Sequence, residues 1–206
     1  METVTEQMAA GTTGKKPFKK HLIVLSAPSG AGKTTIAHYL LARFPEKLRF
    51  SVSATTREMR QGEVNGEDYH FISREEFLQR IEAGALIEYE EIFGNFYGTL
   101  HSEVDEAIAN GEFLIFDVDV KGALSLRRAY PEDSMLLFIA PPDMDVLEKR
   151  LRSRQTESNE QIEIRLKRAH MEMLEKDNFD EIIVNSDLNQ SCSEAEKIVQ
   201  ACFGEI

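Results

Sequence analysis

Residues 22–35, Leu22-Ile23-Val24-Leu25-Ser26-Ala27-Pro28-Ser29-Gly30-Ala31-Gly32-Lys33-Thr34-Thr35, constrain the fold more than any other stretch of the chain. A β-branched apolar run of strand length passes into a loop of small residues, and the loop passes into a segment of helical period. In that order the three pieces form a phosphate cradle, the P-loop, spanning Ala27 to Thr35. Glycines at 30 and 32 let backbone N–H groups turn inward without Cβ obstruction, and the helix adds its unpaired N-terminal donors and positive dipole end. Lys33 is placed to neutralise the β and γ phosphates of a nucleoside triphosphate, and the Thr34 hydroxyl to ligate Mg²⁺. The pattern G-x-x-x-x-G-K-[ST] begins with glycine, whereas Ala27 stands first here; a methyl fits if φ at 27 stays negative. A glycine-rich turn with a solvated lysine explains the loop alone, but not the strand and helix that flank it.

The chain has 206 residues, 42% hydrophobic and 29% charged, which suits one globular domain with insertions. Its formal net charge of −12 argues against a general nucleic-acid binder, because the average field repels phosphate backbones. A local pocket of arginines remains able to hold a small phosphorylated molecule. Cys192 and Cys202 have neither CxxC spacing nor a neighbouring histidine, so neither a zinc site nor a disulfide framework is expected. Residues 1–14 lack the layout of a signal peptide, and no run approaches about eighteen apolar residues. The expectation is a reducing, cytoplasmic setting with no membrane partner. Residues 1–18, small and polar with a cluster of lysines at the end, are expected to form a disordered leader.

Beyond the cradle, apolar positions 36, 37, 40, 41 and 44 predict a helix stopped at Pro45, and Leu48 to Ser53 a short strand. From 53 to 100 the chain turns polar and aromatic, with turn signals at Gln61-Gly62, Asn65-Gly66 and Gly94-Asn95. Strand-like pieces at 69–72 and 86–89 and a helix over 74–82 closed by Gly84 complete this lobe, read as an insertion forming a binding wall. The parent fold resumes with a helix over 102–110 and a buried strand, Phe113 to Asp119. A helix over 121–129, a strand over 135–140, helices over 143–151 and 161–176, a strand over 181–185 and a helix over 193–203 follow. Alternating strands and helices predict an α/β fold, a mainly parallel sheet with helices on both faces. The expected division is core 19–52, 101–150 and 161–206, lobe 53–100 and lid 151–160.

In such sheets ligands bind beyond the C-terminal ends of strands. Asp117 and Asp119 sit there, two apart and so on one side of an extended strand. One of them, Asp117 in preference, holds a Mg²⁺ through water while the other faces a second substrate; the competing reading has both capping the next helix. Arg57 and Arg60, three apart after a strand, can clamp one phosphate from two sides, each fork contributing roughly 1.5–3 kcal/mol when desolvated. Tyr69 and Tyr97 can donate phenolic O–H groups to the same phosphate, or serve as half-buried core.

Ala27 to Thr34, Ser51 to Tyr69, Phe93 to Thr99, Asp117-Val118-Asp119 and Ile183-Val184-Asn185, in that order, closely resemble guanylate kinases. The resemblance runs from about residue 20 to the C-terminus. It implies a P-loop kinase core with a GMP-binding lobe and a lid, and the reaction ATP + GMP ⇌ ADP + GDP with Mg²⁺, dGMP serving as well as GMP. By resemblance Arg57, Arg60, Tyr69 and Tyr97 hold the GMP phosphate, and Ser53, Glu88, Thr99 and Asp119 read the guanine. Glu88 suits guanine chemically: it faces N1–H and N2–H₂ donors that adenine lacks, and a carboxylate left unpaired can discriminate by roughly 10⁴–10⁵. Arg150, Arg154 and Arg165 are implied to close over the transferring phosphate, and Asn185 to lie near the adenine. Ser153 and Gln155 replace the glycines usual beside the second lid arginine, which predicts a stiffer lid and slower closure or release. Ser186 likewise stands where an aspartate is more usual. Guanylate-kinase-like domains of scaffold proteins offer a non-catalytic alternative, but those degenerate in the P-loop and lid, and Lys33, Thr34, Arg150 and Arg154 are all present here. A kinase for another nucleoside monophosphate fits Glu88 and Thr99 poorly. Either a monomer or a homo-oligomer is compatible with the sequence.

Overall fold

The computed structural model describes residues 19–92, 94–153 and 158–204. A five-stranded parallel sheet runs in the order β2-β7-β1-β8-β9, built from β1 (Leu22–Ser26), β2 (Leu48–Phe50), β7 (Phe113–Asp117), β8 (Ser134–Ala140) and β9 (Glu181–Val184). Strands β1 and β8 are buried along their whole length, as their unbroken apolar runs predict for a sheet covered on both faces. Side chains alternate between the two covers. Ile23, Leu25, Ile115, Leu137 and Ile139 pack with α1 (Lys33–Arg43) and α7 (Leu188–Cys202). Leu22, Val24, Leu114, Leu136 and Phe138 pack with α3 (His101–Asn110) and α4 (Val120–Ala129).

The insertion forms a second sheet in the order β4-β3-β6-β5, from β3 (Ala54–Thr55), β4 (His70–Phe71), β5 (Leu86–Ile92) and β6 (Asn95–Leu100). Strand β6 lies where the sequence offered only the turn signal Gly94-Asn95. It pairs antiparallel with β5, and Gly98 inside it is required: a Cβ there would meet the Glu88 carbonyl oxygen at 2.7 Å. Helix α2 (Arg74–Glu82) begins at Ser73, whose Oγ accepts from Glu76 N at 3.1 Å. Its Phe77 is fully buried and stacks on Phe96 with centroids 5.2 Å apart, the centre of a small separate core with Ala54 and Leu100.

Several helix bounds differ from the sequence expectation. Helix α7 starts at Leu188, five residues before the expected Ser193, because Asp187 caps it by accepting from Gln190 N at 2.9 Å. Helix α6 (Asn159–Leu174) starts ahead of Gln161 because Ser158 and Gln161 form a reciprocal capping box. Helix α5 (Met144–Ser153) runs through Arg152 and Ser153, residues expected in the lid. The expected disordered leader and lid residues Arg154 and Gln155 lie outside the described residues.

Phe77→Ala is expected to lower stability by about 3–5 kcal/mol in urea unfolding. Because the lobe has its own core, amides of β5 and β6 should gain exchange rate well before those of β1 and β7. Equal acceleration in both sheets would show a single cooperative core instead.

Candidate active site

Register places the first cluster. Leu25 of β1 lies beside Asp117 of β7, so the loop leaving β1 and the end of β7 open on the same edge of the sheet. Gly30 and Gly32 have φ of 92° and 105°, in the left-handed region that favours glycine. A Cβ on Gly32 would also come within 2.3 Å of Asn185 Nδ2. Gly32 is the N-cap of α1 and supplies no side-chain cap, which leaves the first N–H groups of the helix for a ligand. Ala27 is buried, and its methyl is accommodated within the main core.

Lys33 Nζ forms an ion pair with Asp117 and donates to Val118 O at 2.7 Å. Thr34 Oγ1 donates to Asp117 Oδ2 at 2.7 Å. Asp117 is therefore the carboxylate that meets both cradle side chains, and the capping alternative does not apply to it. Asp119, by contrast, lies past the strand end and caps α4 by accepting from Gly122 N at 2.8 Å, with its other oxygen toward Arg168. A cavity of about 450 Å³ is lined by Pro28, Ser29, Thr35, Lys33, Asp117 and Arg165, and Arg165 Nη1 reaches Ser29 Oγ at 3.1 Å. Arg150 Nη2 donates to Asn185 O at 2.9 Å. Asn185, 4% exposed, donates its amide to Ala31 O at 2.7 Å, so its side chain braces the cradle from behind.

A second, larger cavity of about 870 Å³ lies between β5, the start of α4 and α6, with Glu88 and Asp119 in its lining. Burial pushes the Glu88 carboxyl up from the ordinary glutamate range, opposed by the hydrogen bond that Thr99 Oγ1 donates to Glu88 Oε1 at 2.7 Å and reinforced by Asp119. Ser53 lies at the entrance to β3, its carbonyl accepting from His70 N at 2.9 Å.

The third cluster is in the lobe. The Arg57 guanidinium sits 5.5 Å from the ring centroids of both Tyr69 and Phe71, and Tyr97 is a hydrogen-bond partner, its ring 6.0 Å from that of Tyr69. Three of the four residues expected to share a phosphate are thus together. Arg60 is exposed, and its backbone N donates to Glu63 Oε2 at 2.7 Å. Sequence reading missed Glu63, which accepts from Arg57 Nη1 and Nη2 at 3.0 and 2.7 Å. The Arg57 fork, followed by the Arg60 N–H, holds the Glu63 carboxyl below the usual range. Its position six residues after Arg57, across the Gln61-Gly62 turn, was the available signal. Arg168 was missed too, although it stands three residues after Arg165 and so on the same helix face.

A phosphate cradle backed by a carboxylate adjoins a separate carboxylate-lined cavity through Asp119, and the lobe adds an arginine–tyrosine cluster, groups able to hold two phosphorylated molecules. Known proteins are similar to this chain along nearly its whole length. The guanylate kinase family model matches residues 19–202. The guanylate kinase of Chlorobium luteolum is 52% identical over 170 residues, covering 82% of this chain and 86% of that protein. That of Chlorobium chlorochromatii is 47% identical over 197 residues, covering 96% and 100%. The crystal structure of guanylate kinase from Anaplasma phagocytophilum superposes with a TM-score of 0.65 at 34% identity, covering 90% of this chain and 87% of that one. With the motifs, their order and the fold in agreement, the chain belongs to the guanylate kinase family.

Proposed function

We propose that the chain transfers the γ-phosphoryl group of ATP to GMP, and to dGMP, releasing ADP and GDP in purine nucleotide metabolism of the cytoplasm. The observation that carries this reading is the meeting of Lys33 and Thr34 on Asp117 beside a second cavity that holds the half-buried Glu88. The cradle from Ala27 to Thr35 binds the ATP phosphates through backbone N–H groups, with Lys33 as the cation on the β and γ oxygens. Thr34 Oγ1 and the Asp117 carboxylate converge as hard oxygen donors, a set that suits Mg²⁺, which takes few protein ligands and completes its shell with phosphate and water. Mg²⁺ held there would neutralise charge on the transferring group. Asp117 would serve it through water, leaving Asp119 to the acceptor nucleotide.

On the acceptor side Arg57, Arg60, Tyr69 and Tyr97 hold the GMP phosphate, and Glu88, Ser53, Thr99 and Asp119 face the base. Thr99 keeps Glu88 oriented with one oxygen engaged and the other available to guanine N1–H and N2–H₂. No protein nucleophile is needed: a GMP phosphate oxygen attacks the γ-phosphorus in line, and the β–γ bridging oxygen leaves with ADP. Arg150, Arg154 and Arg165 supply positive charge around the transferring group, and Asn185 adds support at the donor end.

The deciding experiment supplies ATP and Mg²⁺ with GMP, dGMP, AMP, CMP and UMP in turn and follows ADP. Turnover with GMP and dGMP should exceed the others by orders of magnitude; ATP binding without GMP turnover would instead favour a binding module. Lys33→Ala should lower kcat by about 10²–10³-fold, the scale of removing one donor aimed at developing charge, with GMP KM little changed. A kcat within twofold of the parent, on the order of 0.4 kcal/mol of barrier, would remove Lys33 from the chemistry.

Glu88→Gln should relax selection against AMP and lower kcat/KM for GMP. Its effect on stability has the opposite sign. Because burial raises the Glu88 pKa, its contribution to stability is fully present below the unfolded-state value and is lost as pH rises through the folded value. The glutamine variant should therefore gain melting temperature relative to the parent as pH rises across that window. In the same window GMP KM of the parent should fall with rising pH, as the carboxylate forms. Unchanged guanine preference, or a stability difference that does not vary with pH, would overturn this account of base reading.

A further inference from the structure

The two cavities share Asp119, Arg168 and Glu172, of which only Asp119 belongs to the machinery described so far. Arg168 Nη2 donates to Asp119 Oδ2 at 3.0 Å, and Arg168 Nε donates to Glu172 Oε1 at 2.8 Å. Asp119 Oδ1 is taken by the N–H of Gly122. The Asp119 carboxylate is thus fixed at both oxygens, one by α4 and one by α6. Each oxygen of an ionised carboxylate has a second lone-pair direction, so fixing does not use up its capacity to accept from a ligand.

The charge around the larger cavity makes that fixing necessary. Strand β5 contributes Glu88 and Glu90, and the start of α4 contributes Asp119 and Lys121. Helix α6 contributes Arg168 and Glu172, and Glu175 caps its C-terminal end. Among the described residues lining this cavity, Lys121 is the basic residue left if Arg168 is removed, facing five carboxylates. Asp119 would then be held by one backbone N–H and repelled by Glu88, and its rotamer would no longer be set.

We propose that Arg168 is a positioning residue for selection of the acceptor base: its ion pair aims Asp119 into the cavity beside Glu88, and Glu172 aims Arg168 in turn. The inference rests on the reading of Glu88 and Asp119 as base-facing acceptors. A role in the fold alone does not account for the arrangement. The Arg168 side chain is 57% exposed, and surface ion pairs of this kind contribute little to stability. Arg165 and Arg168, one turn apart, let a single helix reach the cradle at Ser29 and the base side at Asp119. Arg165 therefore acts on the phosphates, while Arg168 acts on the base through another residue.

The test compares the parent with Arg168→Met and Arg168→Lys, measuring kcat, KM for GMP and ATP, melting temperature, and kcat/KM for GMP over IMP, which lacks the 2-amino group. Arg168→Met should raise GMP KM and lower the GMP to IMP ratio, each by about tenfold, the scale of losing one charge-assisted contact. ATP KM and melting temperature should stay near the parent values, and Arg168→Lys should recover part of the loss. Unchanged GMP KM and ratio in Arg168→Met would overturn the proposal, as would GMP and ATP KM rising together with a fallen melting temperature. Glu88→Gln and Asp119→Asn, run alongside, separate the two levels. If they change the GMP to IMP ratio and Arg168→Met does not, the Arg168 inference alone falls; if none of the three changes it, the base reading falls and takes the inference with it.

Discussion

The hydrogen bond and ion pair that join Thr34 and Lys33 to Asp117 depend on the sheet, and the rest of the site depends on them. Asp117 meets the cradle because β7 pairs parallel with β1 in a register that sets it beside Leu25. That register is enforced by burial on both faces: a slip of one residue would send Ile23 and Leu25 to the side now filled by Leu22 and Val24. Lys33 also donates to Val118 O, one residue beyond the strand, so the chain leaving β7 is fastened to the same lysine. Placement of Asp119 and the start of α4 follows from that attachment.

The lobe is organised differently. Its core is small, centred on Phe77, Phe96, Ala54 and Leu100, and its charged groups are held by polar contacts. Glu63 gathers Arg57 and the Arg60 backbone, and Thr99 orients Glu88. At the junction with the core sheet, Glu103 of α3 accepts from Arg49 Nη1 at 2.6 Å and from Val52 N at 3.3 Å, holding the segment that leads from β2 into the lobe. Charge is thus distributed unevenly in a chain of net −12: among the described residues Arg57 is held by the Glu63 carboxylate, Arg150 by the Asn185 carbonyl, Arg165 by the Ser29 hydroxyl and Arg168 by Asp119 and Glu172. Glu88 shows the opposing demand, since burial raises the cost of ionising the carboxyl on which the proposed base reading depends.

The elements that sequence reading recovered are those whose signal is local. The apolar runs of β1, β7 and β8 announced buried strands, the helical period of α1 and α2 was plain, and the glycines at 30 and 32 have the positive φ that a phosphate loop requires. What stayed hidden needed a partner distant in sequence. Strand β6 lacks a continuous apolar pattern and exists through pairing with β5 and β3. The first turn of α7 is polar and is legible only through its Asp187 cap. In the site, the division of labour between Asp117 and Asp119 could not be read from two carboxylates two residues apart. It is set by Lys33 and Thr34 on one side and by Gly122 and Arg168 on the other.

Helices α5 and α6 are tied to the cradle through packing as well as charge. Leu147 and Leu151 of α5 join Ile162 and Ala169 of α6 in one apolar cluster. A Cβ at Gly30 would lie 3.0 Å from Leu151 Cδ2 and 3.3 Å from Leu147 Cδ1, so the cradle loop is in close contact with α5. On the same helix, Arg150 is anchored to the Asn185 carbonyl and Asn185 to Ala31 of the loop. Ser153, in place of a glycine usual in the family, continues α5 to its end and donates its hydroxyl to the Arg150 carbonyl at 2.8 Å. A serine there adds a hydrogen bond to the last turn of α5, where a glycine would leave the backbone freer to turn. Motion that carries Arg150 must therefore move α5 as a packed unit against Gly30, whereas a glycine at 153 would let the last turn bend independently.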